Sequence, residues 1–294
     1  MKSNHLSELI AHSVKVGSSP DLVQASGGNT SWKDGKKLWV KGSGKRLKDA
    51  VSQDIFSSIY FEKLSESEIL ALQDFSAFTT NAIKPSIEAN IHIFIGEKFV
   101  THLHSLGSIA IGVSSNNFSE INFDTDVCFI PYARPGVDLA KAIKEKEDYL
   151  GKILILQNHG VIFSGTNCDE VEKKIENFEL EIQQLFMRIP SSKSFPNWIE
   201  ILTSGVLTPD EAVFLGEKPF VNSEFLQTDS IAINSAGNFL FPNGLSDDRI
   251  ELAMFYARVA KLIERKTFVS YLPESEVQGL LSWDREKIRI EMAK

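Results

Sequence analysis

Two spacings of apolar residues alternate along the chain, and together they outline a fold. Leu6, Leu9, Ile10 and Val14 recur at intervals of three and four, which predicts an amphipathic helix over residues 5–16. GSSPDL interrupts it. ASGGNTSWKDGKKLWVKGSG then reads as two short strands around an Asp34-Gly35 turn, closed by a glycine-rich loop. Residues 62–75 and 86–96 carry helical spacing, the second segment ending at Gly96. FVTHLHS reads as a strand that runs into a helix, SLGSIAIGVSS. DVCFIPY is a further strand, VDLAKAIKEKE a helix opened by Pro135-Gly136, and KILILQNHGVIFSG a buried strand pair bent at Asn158-His159-Gly160. Residues 168–188 predict a long helix with Asp169 and Glu170 in its first turn, where carboxylates suit the helix dipole. The pattern is mixed α/β, without a regular βαβ repeat or an internal sequence repeat.

Beyond Pro190 the character changes. SSKSFPNW is loop-like, LTPDEAVFLGEKPFV opens as a proline-started helical turn and continues as an extended segment, and SIAINSAGNFLFPNG is a hairpin turning at Ala236-Gly237-Asn238. Residues 247–265 predict a helix, and the tail LSWDREKIRIEMAK another. The expected division is a first domain over residues 1–195 and an α+β extension over 196–294 packed on it. No catalytic constellation stands out in the extension.

Composition narrows the classes. A net charge of −8 over 294 residues disfavours a nucleic-acid partner, because phosphate backbones recruit basic surfaces. No apolar run approaches the roughly 20 residues of a spanning helix, which argues against a membrane protein. MKSNHLSELIAHSVKVG lacks the continuous apolar centre of a signal peptide. Cys128 and Cys168 stand far apart, with neither a disulfide framework nor a cysteine metal motif. The expectation is a reduced, cytoplasmic protein.

Of six histidines, three lie within two apolar runs. Residues i and i+2 of a strand share a face, so His102 and His104 project side by side and can take two corners of a metal tetrahedron. His159, from the Asn-His-Gly bend, can supply a third. Three ligands with a fourth position open is the arrangement of a catalytic zinc site. The competing reading makes each histidine a satisfied core residue. Glu88, in KPSIEANIHIFIG, has mostly apolar neighbours, and such surroundings raise a carboxyl pKa toward values suited to proton transfer. The competing reading is an exposed helix glutamate. His92, four residues on, is a helical neighbour of Glu88 and is not assigned to the metal. SGGNTS and KGSGK flank one hairpin and offer backbone N–H and hydroxyl groups to an anion. Seven Lys or Arg residues between Lys33 and Lys48 add a local basic excess that would attract an anionic substrate. GxGxxG, Walker A and GxSxG motifs do not occur.

SGGNTS, LWVKGSG, PSIEANIH, THLHS and LQNHGVIFSG occur in the order found in the class II aldolase/adducin family, and the chain resembles that family from about residue 5 to 190. The resemblance implies a three-layer α/β/α fold around a central, mainly antiparallel sheet. It implies Zn²⁺, or another divalent transition metal, on His102, His104 and His159, with Glu88 as acid/base. It implies that Gly28, Asn29, Ser43, Gly44 and Ser86 hold the phosphate of a sugar-phosphate substrate. Ile87 departs from the pattern, standing where several of those aldolases have a second serine. A homotetramer with sites near subunit interfaces is also implied by the resemblance alone. The tail resembles an extension found in some bacterial members. Adducin-like members lack the three histidines and serve as structural proteins.

The expected chemistry is retro-aldol cleavage or its reverse on a ketose phosphate, such as a fuculose- or rhamnulose-phosphate-like sugar, through an enediolate stabilised by the metal. No Schiff-base lysine is required. Same-family decarboxylase, epimerase or dehydratase chemistry on a small hydroxy-carbonyl compound is the alternative, and a non-catalytic scaffold a further one. A cupin also uses HxH, but its glutamate follows within a few residues, and Ser108 to Ser114 contains none.

Overall fold

Helix α1 (Lys2–Gly17) leads into the hairpin of β1 (Asn29–Lys33) and β2 (Lys37–Lys41), followed by β3 (Phe56–Tyr60). Helices α2 (Glu66–Ala71) and α3 (Ala89–Phe94) precede β4 (Phe99–Leu103) and α4 (Leu106–Val113). Next come β5 (Val127–Ile130), α5 (Val137–Lys144), β6 (Ile153–Leu156), β7 (Gly160–Gly165) and the long α6 (Cys168–Arg188). The computed structural model describes residues 2–114, 123–146 and 148–284.

Among these residues seven strands form one sheet in the order β3-β2-β1-β4-β7-β6-β5. Every pairing is antiparallel except β5 beside β6. The period-two alternation of each strand sorts side chains into two cores. Phe99 and Leu103 of β4, with Val161 and Phe163 of β7, join residues of α1, α4 and α6 such as Leu9, Ile109 and Phe178. Val100 and Ile162 face the other way, against Ile91 and Ile95 at α3 and Leu139 of α5. Each such buried side chain contributes on the order of 1.5–3 kcal/mol. His102 has the parity of Val100, so it points to the α3 side. The result is the expected three-layer arrangement around a mainly antiparallel sheet.

Register fixes what surrounds that histidine. β1 lies between β2 and β4, with Asn29 directly opposite His102. The hairpin is pinned by the stacked pair Trp32 and Trp39, directly opposed with ring centroids 4.6 Å apart. Its turn is closed by Asp34, whose Oδ1 accepts from the N–H groups of Lys36 and Lys37 at 3.1 and 3.0 Å.

The C-terminal part adds α7 (Trp198–Ser204), α8 (Pro209–Leu215), β8 (Phe220–Asn222), β9 (Ile231–Ile233), β10 (Phe239–Leu240), α9 (Asp247–Ile263) and α10 (Glu274–Ser282). Its three strands form a second sheet, β8 parallel and β10 antiparallel to β9. Phe255, Ala257 and Val259 of α9 belong to the same apolar cluster as Ile109 of α4 and Phe178 of α6. A backbone bond from Ser270 N to Val113 O ties it to the first part, and one from Leu272 N to Val206 O holds it together internally.

Several elements differ from the sequence reading. The helix over 62–75 shortens to α2, because Asp74 accepts from the Ser76 N–H and starts a separate turn there. The helix over 86–96 starts only at Ala89. Ser86 Oγ accepts the Glu88 N–H, and Glu88 itself sits at the N-cap with φ −101° and ψ 14°. Strand β3 carries no period-two signal, since Phe56 and Ile59 stand three positions apart. Helix α10 was not expected, and of the helical tail expected over 281–294 residues 285–294 lie outside the described ones.

Candidate functional site

His102 is the penultimate residue of β4, and His104 follows one residue beyond the strand end. His159 stands in the bend between β6 and β7 beside Asn158, whose φ of 53° lies in the left-handed region that asparagine tolerates. The Asn158 amide donates to the carbonyls of Leu207 and Ser270, both at 2.8 Å, and so locks the bend. A Cβ on Gly160 would stand 2.3 Å from the Leu103 carbonyl oxygen and 3.1–3.2 Å from the rings of the HxH pair, closer than ordinary van der Waals contact. Only glycine lets this bend press against the end of β4.

The three rings converge. Centroids of His102 lie 4.8 Å from His104 and 4.9 Å from His159, and those of His104 and His159 lie 5.3 Å apart. One nitrogen from each falls within 4.8 Å of the others. Nδ1 of His102 is 3.0 Å from the Val161 carbonyl, which can only accept, so Nδ1 carries the hydrogen and Nε2 the lone pair. That Nε2 faces Nε2 of His104 at 3.0 Å. Burial lowers the pKa of His102 and pushes His159 down to about 3, which favours the neutral, ligating form of each.

Glu88 is 6% exposed, which removes the reading as a solvent-facing helix glutamate. Its Oε2 lies 3.6 Å from Nε2 of His102 and its Oε1 3.5 Å from Nε2 of His159. The expectation of a raised carboxyl pKa is corrected here. Burial does raise it, but the His102 and His159 imidazoles and a hydrogen bond from the Asn29 amide outweigh that and hold it at about 2. His92, set aside as a helical neighbour, proves to be connected. Its Nδ1 bonds to Ser31 Oγ at 2.6 Å and its Nε2 to Asn29 Oδ1, while Asn29 Nδ2 donates to Glu88 Oε2 at 2.9 Å. Burial pushes His92 down to about 3, so a neutral ring orients the amide that orients the carboxylate.

The glycine-rich hairpin closes the other side. Gly28, Asn29, Ser43, Gly44, Ser86, Glu88, His104 and His159 all line one cleft of about 410 Å³, its open mouth included, with His102 behind them. Gly28 holds φ 57°, and a Cβ there would meet the His102 carbonyl at 2.8 Å. The Ser43 N–H is committed to the Lys84 carbonyl at 3.0 Å, so Ser43 offers the cleft its hydroxyl. The local basic excess is largely spent on structure, which corrects the picture of an open cationic surface. Lys33 is buried, donates to the His92 and Ile95 carbonyls at the end of α3, and is pushed down to about 7 by burial. Arg46 pairs with Asp248 and Lys36 with Glu62. Lys41 lines the cleft while donating to the carbonyls of Ser26 and Lys45 at 2.5 and 2.8 Å.

One further residue reaches the cleft from the C-terminal part. Oδ2 of Asp210 lies 3.0 Å from Nδ1 of His104. As the second residue of a proline-started helix, Asp210 reads in sequence as an ordinary helix-start carboxylate, and nothing marks it otherwise.

Do these residues suit a metal? Among the described residues Oε1 of Glu88 has no hydrogen-bond partner, Nε2 of His159 lies 3.5 Å from it, and Nε2 of His102 and Nε2 of His104 face each other at 3.0 Å. A divalent cation satisfies three such nitrogens at once, and the donor set matches. The fold and the cluster thus define a mixed α/β protein with a buried three-histidine cluster that could hold a metal ion. The family model of the class II aldolase and adducin N-terminal domain matches residues 8–185, and the chain belongs to that family, whose aldolases are metal-dependent. Over 198 residues it is 26% identical to the uncharacterized oxidoreductase YuxG of Bacillus subtilis (strain 168), a match to 60% of this chain but only 29% of that protein. Among solved structures, an N-terminal class II aldolase domain from Thermoplasma acidophilum is 25% identical, with a TM-score of 0.48 and coverage of 60% of this chain and 92% of that one. YgbL of Klebsiella pneumoniae is 20% identical with a TM-score of 0.50, covering 64% and 90%, a likeness of fold. No helix of the described residues is long and apolar enough to cross a membrane.

Proposed function

We propose that the chain is a metal-dependent lyase of class II aldolase type, making or breaking a C–C bond in a small hydroxy-carbonyl compound with an anionic group, of the ketose-phosphate class. The observation that carries this reading is the convergence of three buried imidazoles and the Glu88 carboxylate at the base of one polar cleft. A scaffold has no use for buried polar groups that cost stability unless they are satisfied.

His102, His104 and His159 would hold a divalent cation of the zinc class. When bound, such an ion supplies Lewis-acid stabilisation to negative charge on the substrate's carbonyl and hydroxyl oxygens. The residues of the chain do the rest. In the condensation direction the ionised Glu88 takes the proton from the carbon beside the carbonyl. The electron pair of that C–H bond passes into the carbonyl as an enediolate; the same carbon then attacks the aldehyde, whose π pair moves onto its oxygen, and that oxygen takes up a proton from solvent. Cleavage is the reverse, with Glu88 returning the proton. Asn29, aligned by His92, keeps Oε2 of Glu88 in place through its amide. Ser43 and Ser86 hydroxyls and the backbone at Gly28 and Gly44 would grip the anionic end, with the Lys41 ammonium near it. The loss of a second serine at Ile87 leaves that grip one hydroxyl short, so phosphate is the preferred anion of the proposal rather than a requirement. Residues 1–195 would form the metal-binding unit and 196–294 the extension.

Two measurements test the reading. Metal analysis of the purified chain should find about one zinc-class ion, lost in His102→Ala/His104→Ala, because a three-ligand site does not survive removal of two. A panel of ketose phosphates should then release dihydroxyacetone phosphate or an aldehyde. Metal retained in full by the double variant would sink the site. A loaded enzyme that released carbon dioxide or an epimer from small hydroxy-carbonyl compounds, but no aldehyde, would replace the aldolase reaction with one of its relatives.

A further inference from the structure

We propose that Asp210, brought in by the C-terminal part of the chain, is a positioning residue for His104. Its carboxylate would hold the imidazole in the tautomer and orientation that present Nε2 to a metal. The inference rests on the three-histidine reading above and adds to it a residue outside the stretch, 8–185, that matches the family model.

Geometry separates the two sides of the ring. Nε2 of His104 faces Nε2 of His102 at 3.0 Å, whereas Nδ1 faces Oδ2 of Asp210 at 3.0 Å. The two ring nitrogens diverge, so Asp210 addresses the edge that a metal leaves unused. A neutral imidazole carries one hydrogen, and a carboxylate can only accept it. With the hydrogen drawn to Nδ1, the lone pair stands on Nε2. The His102 ring is treated alike by the Val161 carbonyl at its Nδ1, but a charged acceptor does more, making the ring a stronger electron donor. Both partners are buried, His104 7% and Asp210 6% exposed, so solvent does little to screen the contact.

The surroundings are built for this approach. A Cβ on Gly27 would lie 3.1 Å from Nδ1 of His104 and 3.2 Å from Oδ2 of Asp210, tight against both. The segment that carries Asp210 is fixed on either side. Thr208 caps α8 by accepting from the Glu211 N–H at 3.2 Å, and its hydroxyl bonds to Tyr256 of α9. Glu211 accepts from the Leu207 N–H at 2.6 Å, and the Leu207 carbonyl receives the amide of Asn158, the neighbour of His159. One short segment of the C-terminal part therefore holds the side chain of the residue beside one histidine and faces the ring of another. Pro209 at the first helical position sets the direction in which Asp210 leaves the cap.

The test compares wild type, Asp210→Asn and Asp210→Ala as full chains. Zinc affinity is read by competition with a chromogenic chelator, the visible bands of the Co²⁺ form report ligand geometry, and the thermal midpoint of metal-free protein reports the fold. Loss of an outer partner to a metal-binding histidine costs about 10–100-fold in affinity. Asp210→Ala should lose that much and shift the Co²⁺ bands. Asp210→Asn, which keeps an acceptor but not the charge, should fall between alanine and wild type, and carries the test alone if the alanine variant does not fold. A folded variant that binds zinc within twofold of wild type with unchanged Co²⁺ bands would overturn the proposal, even if KM for a substrate rose, since Asp210 would then be a substrate contact. Wild-type protein that binds no zinc would overturn the metal reading first and this one with it.

Discussion

Replacing Glu179 with glutamine should remove a pH dependence from the stability of the fold. Glu179 lies on α6 beneath the first turn of α4, where its Oε1 accepts from Ser105 Oγ and its Oε2 from the Gly107 N–H at 3.1 Å. Ser105 directly follows His104, so this carboxyl holds the chain where the HxH strand leaves the sheet. Burial pushes Glu179 up to about 7 from an ordinary 4.5, against the pull of those two bonds. The folded protein therefore grips this proton more tightly than the unfolded chain does. Its contribution to stability is fully present below pH about 4.5, fades as pH rises, and is lost once pH passes about 7. The difference of about 2.5 pH units corresponds to about 3.5 kcal/mol, at roughly 1.4 kcal/mol per unit. Glutamine keeps the shape, remains neutral, and can donate to Ser105 while accepting from Gly107. Denaturant unfolding of metal-free wild type and Glu179→Gln, at steps from pH about 4 to about 8, reads the effect as a difference between proteins, so other titrations cancel. The variant should gain about 3.5 kcal/mol on wild type between the ends of the series. A difference flat to within about half a kcal/mol would refute the reasoning and mean that Glu179 stays ionised in the fold.

Three other outcomes are expected. Glu88→Gln should retain the fold and the metal, since the amide oxygen can still accept from Asn29, yet lose about 10²–10⁴-fold in exchange of the enediolate proton with deuterated water. Undiminished exchange in metal-loaded protein would place the base elsewhere. Gly160→Ala should cost about 1–3 kcal/mol in denaturant unfolding and weaken metal binding, because its methyl would collide with the Leu103 carbonyl between two histidine-bearing segments. Wild-type stability in that variant would mean that the bend shifts freely. The fourfold assembly implied by the family resemblance should give a tetramer mass by light scattering at micromolar concentration, and a monomer mass would contradict it.

The parts of this molecule legible in sequence are those whose physics is local. Period two across FVTHLHS put His102 on the face opposite Phe99 and Leu103. The Asp34-Gly35 turn fixed the hairpin, and the first-turn carboxylates Asp169 and Glu170 marked the start of α6. The helix expected through Glu88 failed for an equally local reason, one serine hydroxyl capturing one backbone N–H. What could not be read was the environment of charged groups. Lys33 and Lys41 look in sequence like members of a solvated basic cluster, yet both are buried and hold backbone carbonyls, because their neighbours in space come from α3 and from the glycine loop.

The same distinction governs the site. Residue types at fixed spacing suffice to nominate metal ligands, since an imidazole brings its donor atom wherever the backbone carries it. Whether that donor is free depends on the opposite edge of the ring, and here the opposite edges meet groups from unrelated parts of the chain. Val161 serves His102 across the β4–β7 ladder, and Asp210 stands against His104 from α8. Glu88 follows the same rule: apolar sequence neighbours imply a raised pKa, but Asn29 comes opposite His102 by strand register and, with the imidazoles, reverses the sign. Protonation state is thus a tertiary property laid over a local motif. A chain that kept every histidine but lost the 207–210 segment would keep the motif, and on the present reading it would bind its metal more weakly.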